Sequence, residues 1–151
     1  MKENLSPKET KYIKRRLAGN IRRAIEGIFS VAVISGARQV GKSTMIQNEF
    51  QDFAYYTLDD YDTIDLLRTD PEFIFKKHDR IVIDEVQKYP DILNTVKLTV
   101  DRDENKKIIL SGSSNILLMK NISETLAGRA VKRLLKLHQY ALQKCTIPSP
   151  R

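Results

Sequence analysis

Apolar residues in this chain fall into short unbroken blocks, and each block ends in a small, polar or acidic cluster. Val31-Ala32-Val33-Ile34 leads to Ser35-Gly36, and Phe53-Ala54-Tyr55-Tyr56-Thr57-Leu58 leads to Asp59-Asp60. Arg80-Ile81-Val82-Ile83 leads to Asp84-Glu85, and Lys107-Ile108-Ile109-Leu110 leads to Ser111-Gly112-Ser113-Ser114. Continuous rather than alternating apolar runs of this length predict strands covered on both faces, as in a parallel sheet. A weaker run spans Ala130–Leu137. Between the runs the spacing becomes helical, over Ile64–Leu67, Pro71–Lys77 and Asp91–Val100. Ahead of the first run, apolar residues at 13, 17, 21, 24, 25 and 28 predict a helix with a basic outer face, and Gly27 marks its end. Strands alternating with helices predict an α/β fold built of βαβ units, with its site at the C-terminal strand edges.

The loop after the first strand sharpens this expectation. Gly36-Ala37-Arg38-Gln39-Val40-Gly41-Lys42-Ser43 fits G-x-x-x-x-G-K-[ST] without deviation, and Thr44 continues it into a helix. The two glycines permit backbone angles and close approaches that a Cβ would block. Successive N–H groups and the helix N-terminus can then face phosphates. In this pattern Lys42 bridges the β- and γ-phosphates of ATP and the Ser43 hydroxyl ligates Mg²⁺. The sequence expectation is a P-loop NTPase core of three layers around a mostly parallel sheet, spanning residues 31–140. A basic helix within 1–30 packs on that core, and 141–151 form an unstructured tail.

Asp84-Glu85 completes the expected site. The third apolar run places Asp84 beside the first strand, where it joins Ser43 in holding Mg²⁺. Glu85 is then the general base that orients the attacking water. At the next strand end Ser113, and after it Asn115, can sense the γ-phosphate, or the serine-glycine segment simply caps a helix. Asp59-Asp60 reads as a turn or, alternatively, as an acid pair behind the site.

Composition narrows the class further. Of the net charge of +7, residues 1–30 carry +5, residues 120–151 carry +6 and the middle carries −4. Basic ends read as a solvated helix face and tail, or suit a nucleic acid or an acidic partner, although aromatic residues do not interleave with them in the way a single-strand binding surface would require. A single cysteine, Cys145, excludes an internal disulfide and makes a cytoplasmic setting the expectation. No apolar run approaches a membrane span, so no membrane partner is expected. His78, His138 and Cys145 stand apart from one another in sequence, and no metal site is expected of them.

Together these residues resemble a known family. The shared features are Tyr12-Ile13-x-Arg15, the loop Gly36–Thr44, Leu58-Asp59-Asp60 and Asp70-Pro71-Glu72. Ile83-Asp84-Glu85-Val86-Gln87-x-x-Pro90, Leu93-x-x-x-Lys97, Leu110-Ser111-Gly112-Ser113-Ser114 and Leu126-Ala127-Gly128-Arg129 follow in order. From about residue 12 to about 140 the chain resembles the prokaryotic AAA+-type ATPases that carry a C-terminal DUF4143 region. The resemblance implies about five strands, ATP as ligand, Mg²⁺ through Asp84 and hydrolysis aided by Glu85. It also offers Arg129 as a residue that touches the γ-phosphate of its own nucleotide or, in a homo-oligomer, of a neighbouring subunit's, or else as a helix-terminal Arg on an acidic surface patch. Members of that family run on for some hundreds of residues beyond this point, so a truncated ATPase domain is the expectation. Two functions follow: Mg²⁺-dependent ATP hydrolysis, or a non-catalytic remnant that binds nucleotide or a partner.

Overall fold

A computed structural model describes residues 16–134, Arg38 excepted. The proposed tail at 141–151, residues 1–15 of the N-terminal basic segment, residues 135–140 of the expected core, Arg38, His138 and Cys145 lie outside the described residues.

Helix α1 (Arg16–Glu26) leads to β1 (Val31–Ser35), the glycine loop, α2 (Lys42–Glu49) and β2 (Ala54–Thr57). Helices α3 (Tyr61–Thr69) and α4 (Phe73–Lys77) precede β3 (Arg80–Asp84), which passes through a 3₁₀ turn (Val86–Lys88) into α5 (Ile92–Arg102). Strand β4 (Lys107–Gly112), α6 (Ile116–Thr125) and β5 (Ala130–Leu134) follow. The five strands pair in parallel in the order β2-β3-β4-β1-β5.

Why the strands read as continuous apolar runs is visible in the core. Side chains alternate across the sheet with period two. Val31, Val33, Ile81, Ile83, Ile108 and Leu110 pack on one face with α3, α4, α5 and α6. Ala32, Ile34, Val82 and Ile109 pack on the other with Ala18, Ile21 and Ile25 of α1 and Met45 and Ile46 of α2. Strands β1, β3 and β4 are therefore apolar on both sides, and helices cover both faces of the sheet as a three-layer α/β/α sandwich.

One expectation about placement changes. Strand β3 is not the neighbour of β1: β4 lies between them, paired to both. Asp84 therefore reaches the P-loop across the end of β4. That interval is filled by a β4 side chain, Ser111.

Candidate functional site

The loop leaves β1 at Ser35 and re-enters regular structure at Lys42. Gly41 takes φ 79°, ψ 32°, the left-handed region that glycine enters without cost, and so turns the chain into α2. Gln39 is also left-handed, at φ 61°. Between them Val40 is buried in the α1–α2 core and pins the loop to the domain. The Lys42 side chain is 5% exposed, and its Nζ donates to the carbonyls of Gly36 and Ala37, both at 2.9 Å. The loop thus closes around its own cation.

Asp84, at the end of β3, is 2% exposed. Its Oδ2 accepts from Ser43 Oγ and from the Tyr55 hydroxyl, each at 2.5 Å. Its Oδ1 accepts from Ser111 Oγ at 2.6 Å and from the Glu85 backbone N–H at 3.0 Å. One carboxylate thereby joins the ends of β2, β3 and β4 to the first turn of α2. All four donors are neutral. A buried carboxylate surrounded by neutral donors is satisfied geometrically but not compensated in charge, which is costly in a protein interior. A divalent cation beside Asp84 and Ser43 would supply that compensation, so the donor set fits a hard, oxygen-seeking ion. Among the described residues no three His, Cys, Asp or Glu gather into a metal cluster. Such an ion would therefore take most of its ligands from phosphate and water, as Mg²⁺ prefers. Burial, and then the bond to Asp84, push the Tyr55 hydroxyl well above its ordinary value, so it stays a donor.

Glu85 begins a different arrangement. Its backbone is left-handed at φ 59°, ψ 42°, an unfavourable region for a side-chain-bearing residue. The twist turns it away from the strand line, and Gln87 Nε2 donates to its carboxylate. The same Gln87 amide accepts the Ser113 N–H through Oε1 at 3.2 Å. Asn115 caps α6, its Oδ1 accepting from Leu117 N–H at 2.9 Å, and so is committed to a helix terminus.

In front of these groups opens a cleft of about 420 Å³ lined by Gln39, Gly41, Lys42, Ser43, Thr44, Asp59, Glu85 and Lys88. Asp59 does not serve only a turn, because it faces this cleft and pairs with Lys88. Asp60 caps α3, its side chain accepting from Asp62 N–H at 3.2 Å and Thr63 Oγ1 at 2.9 Å.

Arg129 stands elsewhere. It precedes β5, its carbonyl accepting from Val31 N–H at the start of β1, so it lies at the N-terminal edge of the sheet. A five-residue strand separates that edge from the P-loop by roughly 16 Å. There the Arg129 guanidinium grips Asp101 and holds that carboxyl below its ordinary value. The expectation that Arg129 touches its own subunit's γ-phosphate is thereby corrected.

Sequence reasoning passed over Ser111 and Tyr55 as partners of Asp84, and Gln87 as the partner of Glu85. The first two carry no local signal, since their roles depend on strand order. The third sits inside Asp84-Glu85-Val86-Gln87, where a polar residue two positions past the acid was the available cue.

The protein-family model described as AAA domain matches residues 29–143. Two uncharacterized mycobacterial proteins, from Mycobacterium bovis and Mycobacterium tuberculosis, are each 30% identical over 119 residues. That match takes in 77% of this chain and 27% of theirs, so the chain spans about a quarter of the length of these curated relatives. Among solved structures, AMPPCP-bound DnaA from Aquifex aeolicus superposes with a TM-score of 0.54. It covers 86% of this chain and 51% of its own at 21% identity, a likeness of fold.

Proposed function

The chain belongs to the AAA domain family, and on that premise we propose that it binds ATP with Mg²⁺ in the Gly36–Thr44 cleft and hydrolyses it. The observation that carries this reading is the buried Asp84 carboxylate, with Ser43 at 2.5 Å and no positive donor among its four partners. Such a centre is expensive to fold and becomes balanced when a cation arrives with a nucleotide.

In this reading the backbone of Gly36, Ala37, Arg38, Gln39, Val40 and Gly41 wraps the phosphates, and Lys42 exchanges the Gly36 and Ala37 carbonyls for phosphate oxygens. Thr44 continues the cradle at the start of α2. Ser43 and Asp84 hold the metal, which neutralises charge on the phosphates. Glu85 takes a proton from water, and Ser113 at the end of β4 senses the γ-phosphate. A nucleotide analogue bound to the structurally similar DnaA supports the choice of ligand.

The finer placement among the ATPases with a DUF4143 region rests on Asp84-Glu85-Val86-Gln87 and Leu126-Ala127-Gly128-Arg129. Arg129, at the far edge, can serve only the nucleotide of a second copy, so this role requires a homo-oligomer. A nucleic-acid partner has less support, because Arg22 of the N-terminal basic segment is already paired with Asp52 and Glu26. Among the described residues no helix is long and apolar enough to cross a membrane. The lone cysteine supports a cytoplasmic setting.

A second reading, a nucleotide-binding domain without turnover, is favoured by one observation: the Glu85 carboxylate is engaged by Gln87. Steady-state ATP turnover by the 151-residue chain separates the two. Turnover that Glu85→Gln abolishes establishes hydrolysis; binding of Mg-ATP without turnover establishes the second reading.

A further inference from the structure

We infer that Gln87 is the positioning residue of this site, tying the Glu85 carboxylate to the end of β4 so that the two move together. The inference rests on the reading of Glu85 as the base.

Three observations converge on it. The Gln87 amide uses both of its ends: Nε2 donates to Glu85, and Oε1 accepts the Ser113 N–H at 3.2 Å. A primary amide carries its donor and its acceptor on separate atoms, so one end can donate to a carboxylate while the other accepts from a backbone N–H. The second observation is Gly112. A Cβ there would stand 2.7 Å from Gln87 Oε1 and 3.2 Å from a methyl carbon of Leu118. The strand end therefore leaves room for this amide, and any side chain at residue 112 displaces it. Third, the left-handed backbone at Glu85 aims its side chain off the strand and toward the 3₁₀ turn that carries Gln87. The buried Val86 between them fixes that turn to the core.

The consequence is mechanical. Ser113 directly follows β4 and is tied through Gln87 to Glu85 of the cleft wall, so any shift of the 113–115 loop on contact with a γ-phosphate is delivered to Glu85 through one side chain. Gln87 needs no contact with nucleotide or water to do this. Its loss should lower the chemical step and leave the phosphate grip of Lys42 and Ser43 intact.

Substitutions that keep one end of the amide separate the roles. Gln87→Glu retains the acceptor for Ser113 but cannot donate to Glu85. Gln87→Ala loses both. Gly112→Ala leaves the glutamine in place chemically and pushes it aside. Two measurements on the full chain are made together: steady-state ATP hydrolysis, and amide hydrogen exchange at Ser113 by NMR, with Val33 and Leu110 as core controls.

All three variants are expected to lower kcat about a hundred-fold, as misplaced catalytic groups do. KM for ATP should stay within about two-fold of the parent value, the mark of a lost transition-state interaction. Ser113 exchange should quicken about ten-fold in Gln87→Ala and remain slow in Gln87→Glu, with the core amides unchanged. Gln87→Glu with the parent kcat, in a protein whose turnover Glu85→Gln abolishes, overturns the positioning role and leaves the base assignment standing. Turnover that survives Glu85→Gln overturns the base assignment itself. If the parent chain binds Mg-ATP without turning it over, the exchange arm decides. Equal Ser113 protection in the parent and Gln87→Ala overturns the bridge, and selective loss supports it.

Discussion

Both ends of the sheet carry charged side chains, yet they treat charge in opposite ways. At the N-terminal edge Arg22 meets Asp52 at 2.7 and 3.0 Å, and Arg80 reaches Asp52 at 3.0 Å and Glu26 at 3.2 Å. These groups are partly open to water, and Arg22 also lies over the Phe50 ring, 5.0 Å from its centroid. Opposite charges are matched there, and each can be solvated. At the C-terminal edge Lys42 and Asp84 are buried, and neither is paired with the other: Lys42 bonds carbonyls and Asp84 bonds hydroxyls. The first edge is an arrangement for stability at low cost. The second holds unmatched charge at a strand edge facing a cleft, which folding alone would not select.

Variants at the two edges should therefore separate cleanly. The largest effect is expected from Glu85→Gln, which should lower ATP turnover by about 10² to 10⁴, the range of general-base catalysis, while ATP binding persists. An equal loss of binding would make Glu85 a ligand rather than a base.

Next in size is Tyr55→Phe, which removes one of the four donors to Asp84. Loss of roughly 1–1.5 kcal/mol of unfolding free energy is expected, the worth of a hydrogen bond to a charged group at a half-buried position. Its pH dependence sharpens the point. The folded-state value of Tyr55 lies above the ordinary 10.0, so its contribution is complete below pH 10. It is lost as pH rises beyond that value. The stability gap between the parent and Tyr55→Phe should narrow above pH 10 in alkaline denaturation; a constant gap would detach Tyr55 from Asp84.

The smallest effect belongs to the other edge. Arg22 holds the Asp52 carboxyl below its ordinary 3.8, chiefly through their hydrogen bonds. This pair stabilises the fold above about pH 4 and ceases to do so as pH falls through the lowered value. Because both groups are partly open to water, Asp52→Asn should cost only a few tenths of a kcal/mol, less still in high salt. ATP binding should not change. A loss of binding there would join the two edges functionally and break the contrast.

How far the sequence alone leads differs between these edges as well. The P-loop, the strand-end acid Asp84 and the five apolar runs are legible because each is local: a glycine spacing, a periodicity, a boundary. The position of β4 between β1 and β3 is not local, and with it went the partnership of Ser111 with Asp84. Tyr55 was hidden inside an apolar run, its hydroxyl reading as incidental until β2 was seen to pair with β3. Arg129 was legible in part. Its place directly before the run starting at Ala130 puts it at the beginning of a strand, the edge away from the loop, whatever family pattern surrounds it.

Whether the glycine loop grips phosphate is decided by ATP binding to Lys42→Ala, measured by titration calorimetry in Mg²⁺ beside the parent chain. The parent should bind, and the variant should lose about ten- to a hundred-fold in affinity, the worth of one charged hydrogen-bonding group. Equal affinity in the two proteins would contradict it, because the loop from Gly36 to Ser43 would then not be where the phosphates rest.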